Sequence, residues 1–272
     1  MTLWVANRLE NVAQAYQTIT TPLYYTPDGR LPNGYVSYSS PYKQWLYDSG
    51  VSGALVINSI SGGAFSAPLT RASGLHIDYN NGRVILPASF GTALKLTGSY
   101  SLKEINVYLP IEQDDPLLSA TKYFRNPRYS QVPTSGISPS ALCTPAVFVN
   151  TLFDTSAPFA FGGFEETKTT FTLTALVDSD YQLKAVLSLF RDAARSYIPL
   201  LNIAQDPLDQ FGDLKGGTGY NYQALVEQYG TPGNLIYIDR VSASKVSDNV
   251  NLSPGVFAGV IDLDLSFVRL PR

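Results

Sequence analysis

The chain has 272 residues and a formal net charge of −3; 44% of its residues are hydrophobic and 15% are charged. This length and this apolar share allow one large domain or two modest ones with a real core. The sequence has no basic stripe and no block of like charge, which argues against a dedicated, sequence-specific nucleic-acid-binding protein.

The charged share is low against about 25% in typical globular domains, so uncharged residues must cover part of the surface. The chain contains 18 tyrosines. Tyrosine is a favoured contact residue at protein interfaces, but it is also enriched in β-strands. The composition therefore suits both a subunit buried in an assembly and a plain β-rich domain.

Residues 1–21 are predicted to form an N-terminal amphipathic helix. Over positions 3–18 apolar side chains return at helical spacing, and Thr20-Thr21-Pro22 ends the run. Arg8 and Glu10 interrupt the apolar positions, so we expect neither a signal peptide nor a membrane span here, and no membrane partner. The apolar positions are Leu3, Leu9, Val12, Ala13 and Tyr16.

Residues 22–50 are rich in Tyr, Pro, Gly and Ser, and they contain two turn signals, Asp28-Gly29 and Asn33-Gly34. A loop of this length is uncommon inside a compact domain, and the aromatic residues argue against disorder. We therefore predict an extended arm or loop that becomes ordered against a partner.

Residues 51–110 are predicted to form an antiparallel β-meander. Its strands are expected at 51–60, in a hairpin at 75–86, and at 93–109 with a bend or bulge at Gly98. In the hairpin, Asn81-Gly82 suits a two-residue type I′ turn. That turn would place Tyr79 opposite Val84 and Ile77 opposite Leu86.

Residues 111–145 form a Pro- and Ser-rich linker or insertion, since repeated prolines continue neither a helix nor a ladder. Residues 146–272 are predicted to form a domain with strands at 146–153, 169–177, 235–246 and 256–270. Asp178-Ser179-Asp180 begins a helix that ends at Pro199, and a shorter helix is expected at 222–229. The predicted class is α+β and β-rich, with an antiparallel N-terminal hairpin or meander unit and a C-terminal mixed sheet flanked by one main helix.

Few residues could carry chemistry. His76 and Asp78 share a strand face, but no Gly-x-Ser-x-Gly motif supplies a nucleophile. Cys143, the one cysteine, excludes an intrachain disulfide, and without a helix start or a basic neighbour it reads as a buried hydrophobe. Lys215-Gly216-Gly217-Thr218-Gly219 lacks the order of a phosphate loop.

The carboxylates do not select a catalytic pair. Asp178 and Asp180 suit a helix start, and Asp262 with Asp264 suits a solvated strand face. Glycoside hydrolysis would need two carboxyls across a cleft, and no spacing picks them out. We therefore expect no enzyme, no cofactor and no metal site.

We expect the chain to act through contacts with other subunits. Seven residues are candidates for a subunit interface: Tyr24, Tyr25, Tyr35, Tyr38 and Trp45 on the predicted arm, and Arg191 and Arg195 on one side of the main helix. An alternative is a carbohydrate- or receptor-binding module, in which Trp4, Trp45 and the tyrosines near 35–47 stack on sugars.

The sequences GLHIDYNNGRVIL, with the following strand that ends in EINVYL, and TLTALVDSDYQLKAVLSLFRD resemble virion proteins at the neck of tailed bacteriophages. These are head–tail connectors, stoppers and tail terminators. The resemblance implies a homo-oligomeric ring, for example six- or twelve-fold, that assembles in the host cytoplasm and resides in the virion. It also implies contacts with a portal or connector and with a tail tube or sheath, and neither cofactor nor catalytic residues. The alternative is a carbohydrate- or receptor-binding β-module of a phage tail or baseplate.

Overall fold

The computed structural model describes residues 1–10, 18–63, 65–109, 123–125, 135–138, 142–160, 164–217, 219–231, 235–246 and 255–269. Within this part, the α-helices are α1 (Thr2–Glu10), α2 (Asp180–Arg191) and α3 (Tyr222–Tyr229). The strands are β1 (Thr18–Tyr25), β2 (Tyr35–Ser39), β3 (Ser59–Gly62), β4 (Leu69–Thr70), β5 (His76–Asp78), β6 (Arg83–Pro87), β7 (Leu96–Ser101), β8 (Asn106–Tyr108), β9 (Tyr123–Arg125), β10 (Leu142–Thr144), β11 (Ala146–Ala160), β12 (Phe164–Val177), β13 (Tyr197–Pro199), β14 (Leu235–Lys245) and β15 (Phe257–Arg269). The predicted α+β, β-rich class is confirmed.

The first sheet has seven strands in the order β4-β3-β7-β1-β2-β6-β5, with antiparallel neighbours throughout. Residues 22–50, predicted to be an arm, instead contribute half of β1, all of β2 and a buried segment at 43–48. Pro22 is tolerated in β1 because β2 joins this strand only at Tyr24 and Tyr25.

The hairpin β5–β6 differs from the predicted hairpin by two residues in register. Ile77 pairs with Val84 and Asp78 with Arg83, so the loop has four residues. The backbone N–H of Asn81 donates to the Asp78 carboxylate at 3.1 Å, and this side-chain turn replaces the expected type I′ turn. Only Gly82 has a positive φ there, and a Cβ at this position would collide with the carbonyl oxygen of Tyr42.

The predicted strand at 93–109 is two strands that belong to different sheets. β7 pairs with β1 and β3 in the first sheet, whereas β8 pairs in parallel with β11 in the second. Gly98 continues the ladder opposite Thr21 without a bulge. The strand predicted at 51–60 begins only at Ser59. The 51–110 segment is therefore not self-contained, because its last strand enters the second sheet.

The second sheet has six strands in the order β13-β14-β15-β12-β11-β8, and only β8 and β11 run in parallel. The predicted mixed sheet and its main helix are confirmed. Helix α2 begins at Ser179, whose side chain accepts from the backbone N–H of Gln182. It ends at Arg191 and not at Pro199, because the chain turns at Arg195, where φ is 64°, and enters β13.

One face of the second sheet packs against α2 through Leu183, Val186, Leu187 and Phe190. Helix α1 joins this core to the first sheet: Trp4 lies 5.8 Å from Phe190 between ring centroids. Buried side chains of both sheets and both helices form one continuous cluster. Hydrophobic burial therefore holds the two sheets together as one unit.

One predicted segment lies partly, and another largely, outside the described residues. The prediction of an N-terminal helix over 1–21 is wrong at residues 18–21, because these pair with β7 as the start of β1. Helix α1 ends at Glu10 in the described part and β1 begins at Thr18, so the predicted apolar positions Val12, Ala13 and Tyr16 fall outside it. Most of the Pro- and Ser-rich segment at 111–145 also falls outside. Within that segment, β9 pairs in parallel with β10.

Candidate functional site

Two of the predicted interface residues belong to the core. Tyr38 and Trp45 are both 0% exposed. The Tyr38 hydroxyl donates to the carbonyl oxygen of Gly91, and the Trp45 indole stacks on Tyr100 with a centroid distance of 4.4 Å. Because no part of either side chain reaches the surface, neither can contact a neighbouring subunit. The prediction that Tyr38 and Trp45 are interface residues is therefore wrong, since large aromatic side chains gain most from burial in the core.

The remaining predicted tyrosines lie at the surface of the first sheet. Tyr25 is 43% exposed, and Tyr24 and Tyr35 are half-buried. Tyr35 packs against the rings of His76 and Phe211. Only Tyr25 therefore offers a large free surface among the tyrosines chosen from the sequence.

The two predicted arginines do not share a helix face. Arg191 ends α2, and its guanidinium donates to the carbonyl oxygen of Ala243 in β14 at 2.7 Å. Arg195 follows the helix, and its backbone N–H donates to Ile238. Both side chains are exposed. Arg191 thus serves its own subunit by covering part of the outer edge of β14.

The face of the second sheet opposite α2, which we call the open face, has a polar part and a buried apolar part: Phe148 and Leu176 belong to a second buried apolar cluster, whereas the part beside Thr170 and Thr172 is polar. Thr170 donates to Asp264 at 3.0 Å and Thr172 donates to Asp262 at 2.8 Å, in both cases between directly paired residues. Next to them, β14 presents the exposed side chains of Arg240, Ser242 and Ser244. The predicted solvated strand face is confirmed for Asp262 and Asp264, whose carboxylates accept from threonines.

Both ends of the second sheet have partly unpaired strands. β8 pairs with β11 only at Ala146–Phe148, and β13 pairs with β14 only at Leu235–Tyr237. Within the described part of the chain, residues 149–160 of β11 have only β12 beside them and residues 239–245 of β14 have only β15, so the outer edge of each stretch carries no strand. Unpaired edges of this kind are templates for pairing with another strand. Sequence reasoning missed them because partner strands are set by tertiary pairing.

Aromatic side chains are exposed beside one of these ends. Tyr197 on β13 is 61% exposed, and its ring lies 5.2 Å from that of Tyr237 on β14. Leu200 follows at 44% exposure. This small patch combines flat contact area with hydroxyl groups, the composition that recurs at protein interfaces.

A side-chain amide joins the two sheets. The Gln44 amide accepts from the backbone N–H of Val107 and donates to the carbonyl oxygen of the same residue, both at 2.8 Å. Gln44 is 3% exposed and has a φ of 47°, a conformation that is uncommon for this residue type. It therefore continues the ladder beyond β8 with a side chain in place of a strand, a contact that no local sequence signal predicts.

A buried ion pair lies beside this contact. The Lys103 ammonium is 3.2 Å from the Glu10 carboxylate and 4.5 Å from the centre of the Tyr47 ring, and both charged side chains are buried. Desolvation alone would lower the pKa of Lys103, but the Glu10 carboxylate and Tyr47 outweigh it and raise that pKa. The lysine therefore stays charged, and it ties α1 to the first sheet.

A second buried network fixes the β5–β6 hairpin. The Arg83 guanidinium donates to Asp28 and to Asp78, both at 2.7 Å. Asp78 also accepts from the Asn81 side chain at 2.8 Å. Hydrogen bonds from Arg30 and then from Arg83 hold the pKa of Asp28 well below its usual range. These carboxylates are satisfied by structural partners, so they are poor candidates for acid–base catalysis.

A cleft of about 390 Å³ lies between α1, the β5–β6 hairpin, β8 and the loop at 206–213. Its acidic residues, Asp206 and Asp209, accept hydrogen bonds from backbone N–H groups of their own loop. Lys103, which also lines the cleft, pairs with Glu10. The charged groups of this cleft thus stabilise the loop and the helix around it, and they do not face each other as a glycosidase pair.

The remaining chemistry-bearing residues have structural roles. His76 stacks on Phe211 at 4.4 Å, while the carboxylate of the neighbouring Asp78 turns to Arg83. Cys143 is 1% exposed, as expected for a buried hydrophobe, and burial raises the pKa of its thiol to about 11. The Lys215 ammonium donates to the Asp206 carbonyl. In the described ranges, no three His, Cys, Asp or Glu side chains come together to hold a metal ion, and no helix has the length and apolarity for a membrane span.

No family model matches this chain. The sequence also has no significant match among curated proteins. Its function is therefore inferred from the edges and faces of the second sheet.

Proposed function

We propose that the protein is a non-enzymatic structural subunit that forms a homo-oligomeric ring at the head–tail junction of a tailed bacteriophage. The observation that carries this proposal is the second sheet: one face is packed on α2, the opposite face is half-exposed and polar at Thr170, Thr172, Asp262 and Asp264, and β11 at 149–160 and β14 at 239–245 each have a strand partner on one side only among the described residues. A subunit that presents such surfaces is suited to side-by-side assembly.

The character of these surfaces supports assembly over catalysis. The open face has hydroxyl groups beside its few charges, and the exposed Tyr197 and Leu200 lie at the β13 end. Interface cores are depleted in charge and enriched in tyrosine. Several buried charges have structural partners that stabilise the fold: the Glu10–Lys103 pair, the Asp28–Arg83–Asp78 network and the Arg71–Asp213 pair.

The phage location is supported by the sequence resemblance, whose two stretches form the β5–β6 hairpin with the β7–β8 region and the β12–α2 unit. The mixed sheet flanked by a helix is the core architecture that this resemblance implies. Virion residence, assembly in the host cytoplasm and contacts with a portal or connector and a tail tube or sheath belong to the same proposal.

The alternative of carbohydrate or receptor binding loses its main support. Trp4 and Trp45, the aromatic residues proposed to stack on sugars, are 5% and 0% exposed. Stacking requires an accessible ring face. In the described part of the chain, the tyrosines with large exposure are Tyr25, Tyr181 and Tyr197, which lie on separate strands and a helix. Glycan-array binding that is lost on Tyr197→Ala would favour this alternative over the ring.

Negative-stain electron microscopy of the purified protein tests the proposed ring. We expect annular particles of one diameter at micromolar concentration, with the same particles attached to tails or necks when virions of the source phage are labelled with an antibody to the chain. Monomers alone in the purified protein, together with virions that do not bind the antibody, would contradict the proposal.

A further inference from the structure

We propose that the second sheet continues from one copy of the chain to the next, with the outer edge of β11 in one copy paired antiparallel to the outer edge of β14 in its neighbour. This inference rests on the proposed homo-oligomer and names the strands that join its subunits.

The two edges have matching exposed backbone. Residues 149–160 of β11 pair with β12 on one side, and 239–245 of β14 pair with β15 on one side; on the outer side of each stretch, no strand of the described ranges lies alongside. Each row of unpaired N–H and C=O groups is a template for strand addition. The free stretch of β11 is longer than that of β14, so β11 offers a backbone partner along the whole of 239–245.

The strand directions favour a head-to-tail arrangement. β11 is antiparallel to β12, β12 to β15, and β15 to β14. β11 and β14 therefore run in opposite directions. Two copies that stand side by side in the same orientation bring these edges together as an antiparallel pair, and repetition of that contact closes a ring when the rotation between copies fits.

The charges on the two edges are complementary. Between Asp239 and Lys245, β14 carries one acidic and two basic residues, whereas residues 149–157 of β11 carry Asp154 and no basic residue. Pairing β11 with β14 brings opposite net charges together. Pairing β11 with a second β11 would instead join two edges of the same negative charge with no basic residue to compensate, and like charges on adjacent strands are destabilising.

Arg191 protects the β14 edge of a subunit that has no neighbour. The N–H of Val246 donates to Ala258, so the alternation of an antiparallel ladder turns the backbone groups of Ala243 away from β15. The Arg191 guanidinium occupies the outward carbonyl of Ala243 at 2.7 Å. Charged side chains at an edge suppress indiscriminate strand pairing, and the neighbouring β11 would displace this contact.

Cysteine crosslinking tests the pairing. Ser242→Cys on β14 is combined in turn with Asn150→Cys and Thr155→Cys on β11, which by register occupy the same sheet face as Ser242 and sample two registers. Cross-strand neighbours lie at distances that a disulfide spans. The matched control combines Ser242→Cys with Thr70→Cys on β4, an exposed edge strand of the first sheet. Native Cys143 stays in every variant because it is buried.

Under mild oxidation, we expect at least one β11–β14 pair to give a ladder of covalent multimers that ends at the ring stoichiometry. The control pair and the single variants should remain monomeric on a denaturing gel. Rings that form without any β11–β14 ladder, or dimers formed by a single β11 variant alone, would overturn the edge pairing and leave the proposed ring intact. Particles that remain monomeric in solution would overturn both.

Discussion

Replacement of Gln44 by asparagine should destabilise the protein, although asparagine is better suited to the local backbone. Gln44 has a φ of 47°, a region in which asparagine is enriched among the residues other than glycine. The shorter side chain, however, lacks one methylene group and its amide cannot reach both backbone groups of Val107 as the glutamine does. The substitution therefore relieves backbone strain while it removes the amide contact, so the sign of the stability change shows which of the two effects is larger.

The expected loss follows from the two hydrogen bonds. Each contributes about 0.5–1.5 kcal/mol net, so the pair contributes about 2 kcal/mol, with partial compensation by water at the half-buried Val107. For a chain of this size, that loss lowers the Tm by roughly 4 °C. Urea unfolding followed by circular dichroism, with linear extrapolation to water, gives the free-energy difference.

Gln44→Glu is the matched control. A protonated carboxyl group can accept from and donate to Val107 as the amide does, but a carboxylate cannot donate. Burial and the facing carbonyl oxygen raise the pKa of the introduced carboxyl group above its usual value. The stability of this variant relative to the native protein should therefore be greatest at acidic pH and fall as the pH rises through that raised pKa. Native-like stability of Gln44→Asn would refute the importance of the amide contact.

Three further changes test the buried charges and the α2 start. Lys103→Met removes the cation that faces Glu10 and should lower the free energy of unfolding in urea by about 3–5 kcal/mol. The double variant with Glu10→Gln should recover part of this loss. If the two single losses simply add in the double variant, the residues are not a coupled pair. Asp28→Asn should cost about 2 kcal/mol at pH 7. The pKa of Asp28 is depressed in the folded protein, so its carboxylate stabilises the fold above the ordinary pKa of aspartate, and this stabilisation is lost as the pH falls. The difference in free energy of unfolding between Asp28→Asn and the native protein should therefore shrink in acid. A difference that does not change with pH would contradict this. Ser179→Ala should lower the free energy of unfolding by about 1 kcal/mol, and Ser179→Asp should keep the native stability. Equal stability of Ser179→Ala and the native protein would show that the cap makes no contribution.

Sequence patterns predicted the second sheet better than the first. Alternation in β15 and the N-cap at Ser179 are local signals, and both appear where expected. The short helix at Tyr222–Tyr229 was also predicted, and the structure caps it with the Asn221 side chain. Elements with strong local periodicity therefore needed no tertiary information.

The first sheet was harder to predict because its strands are short and its loops are buried. Tyr38 and Trp45 lie in a segment whose Pro and Gly residues are typical of a loop, yet both fill the core. The hairpin register shifted by two residues because Asp78 binds Asn81 and Arg83. Contacts of this kind depend on groups that come together only in the folded chain.

The interface residues could not be derived from composition. Tyrosine content alone does not distinguish Tyr38 in the core from Tyr197 at the surface, since both lie in strands. The unpaired edges of β11 and β14 depend on strand order, which involves partners distant in sequence. Surface assignments therefore required the three-dimensional structure.

Native mass spectrometry of the purified protein most directly tests whether the chain builds a ring. Each chain has a mass of 29.6 kDa. We expect one dominant species whose mass is a fixed multiple of this value and that persists on dilution from the assembly concentration. A spectrum of single chains, or a continuous series of sizes without a preferred multiple, would contradict closed ring assembly.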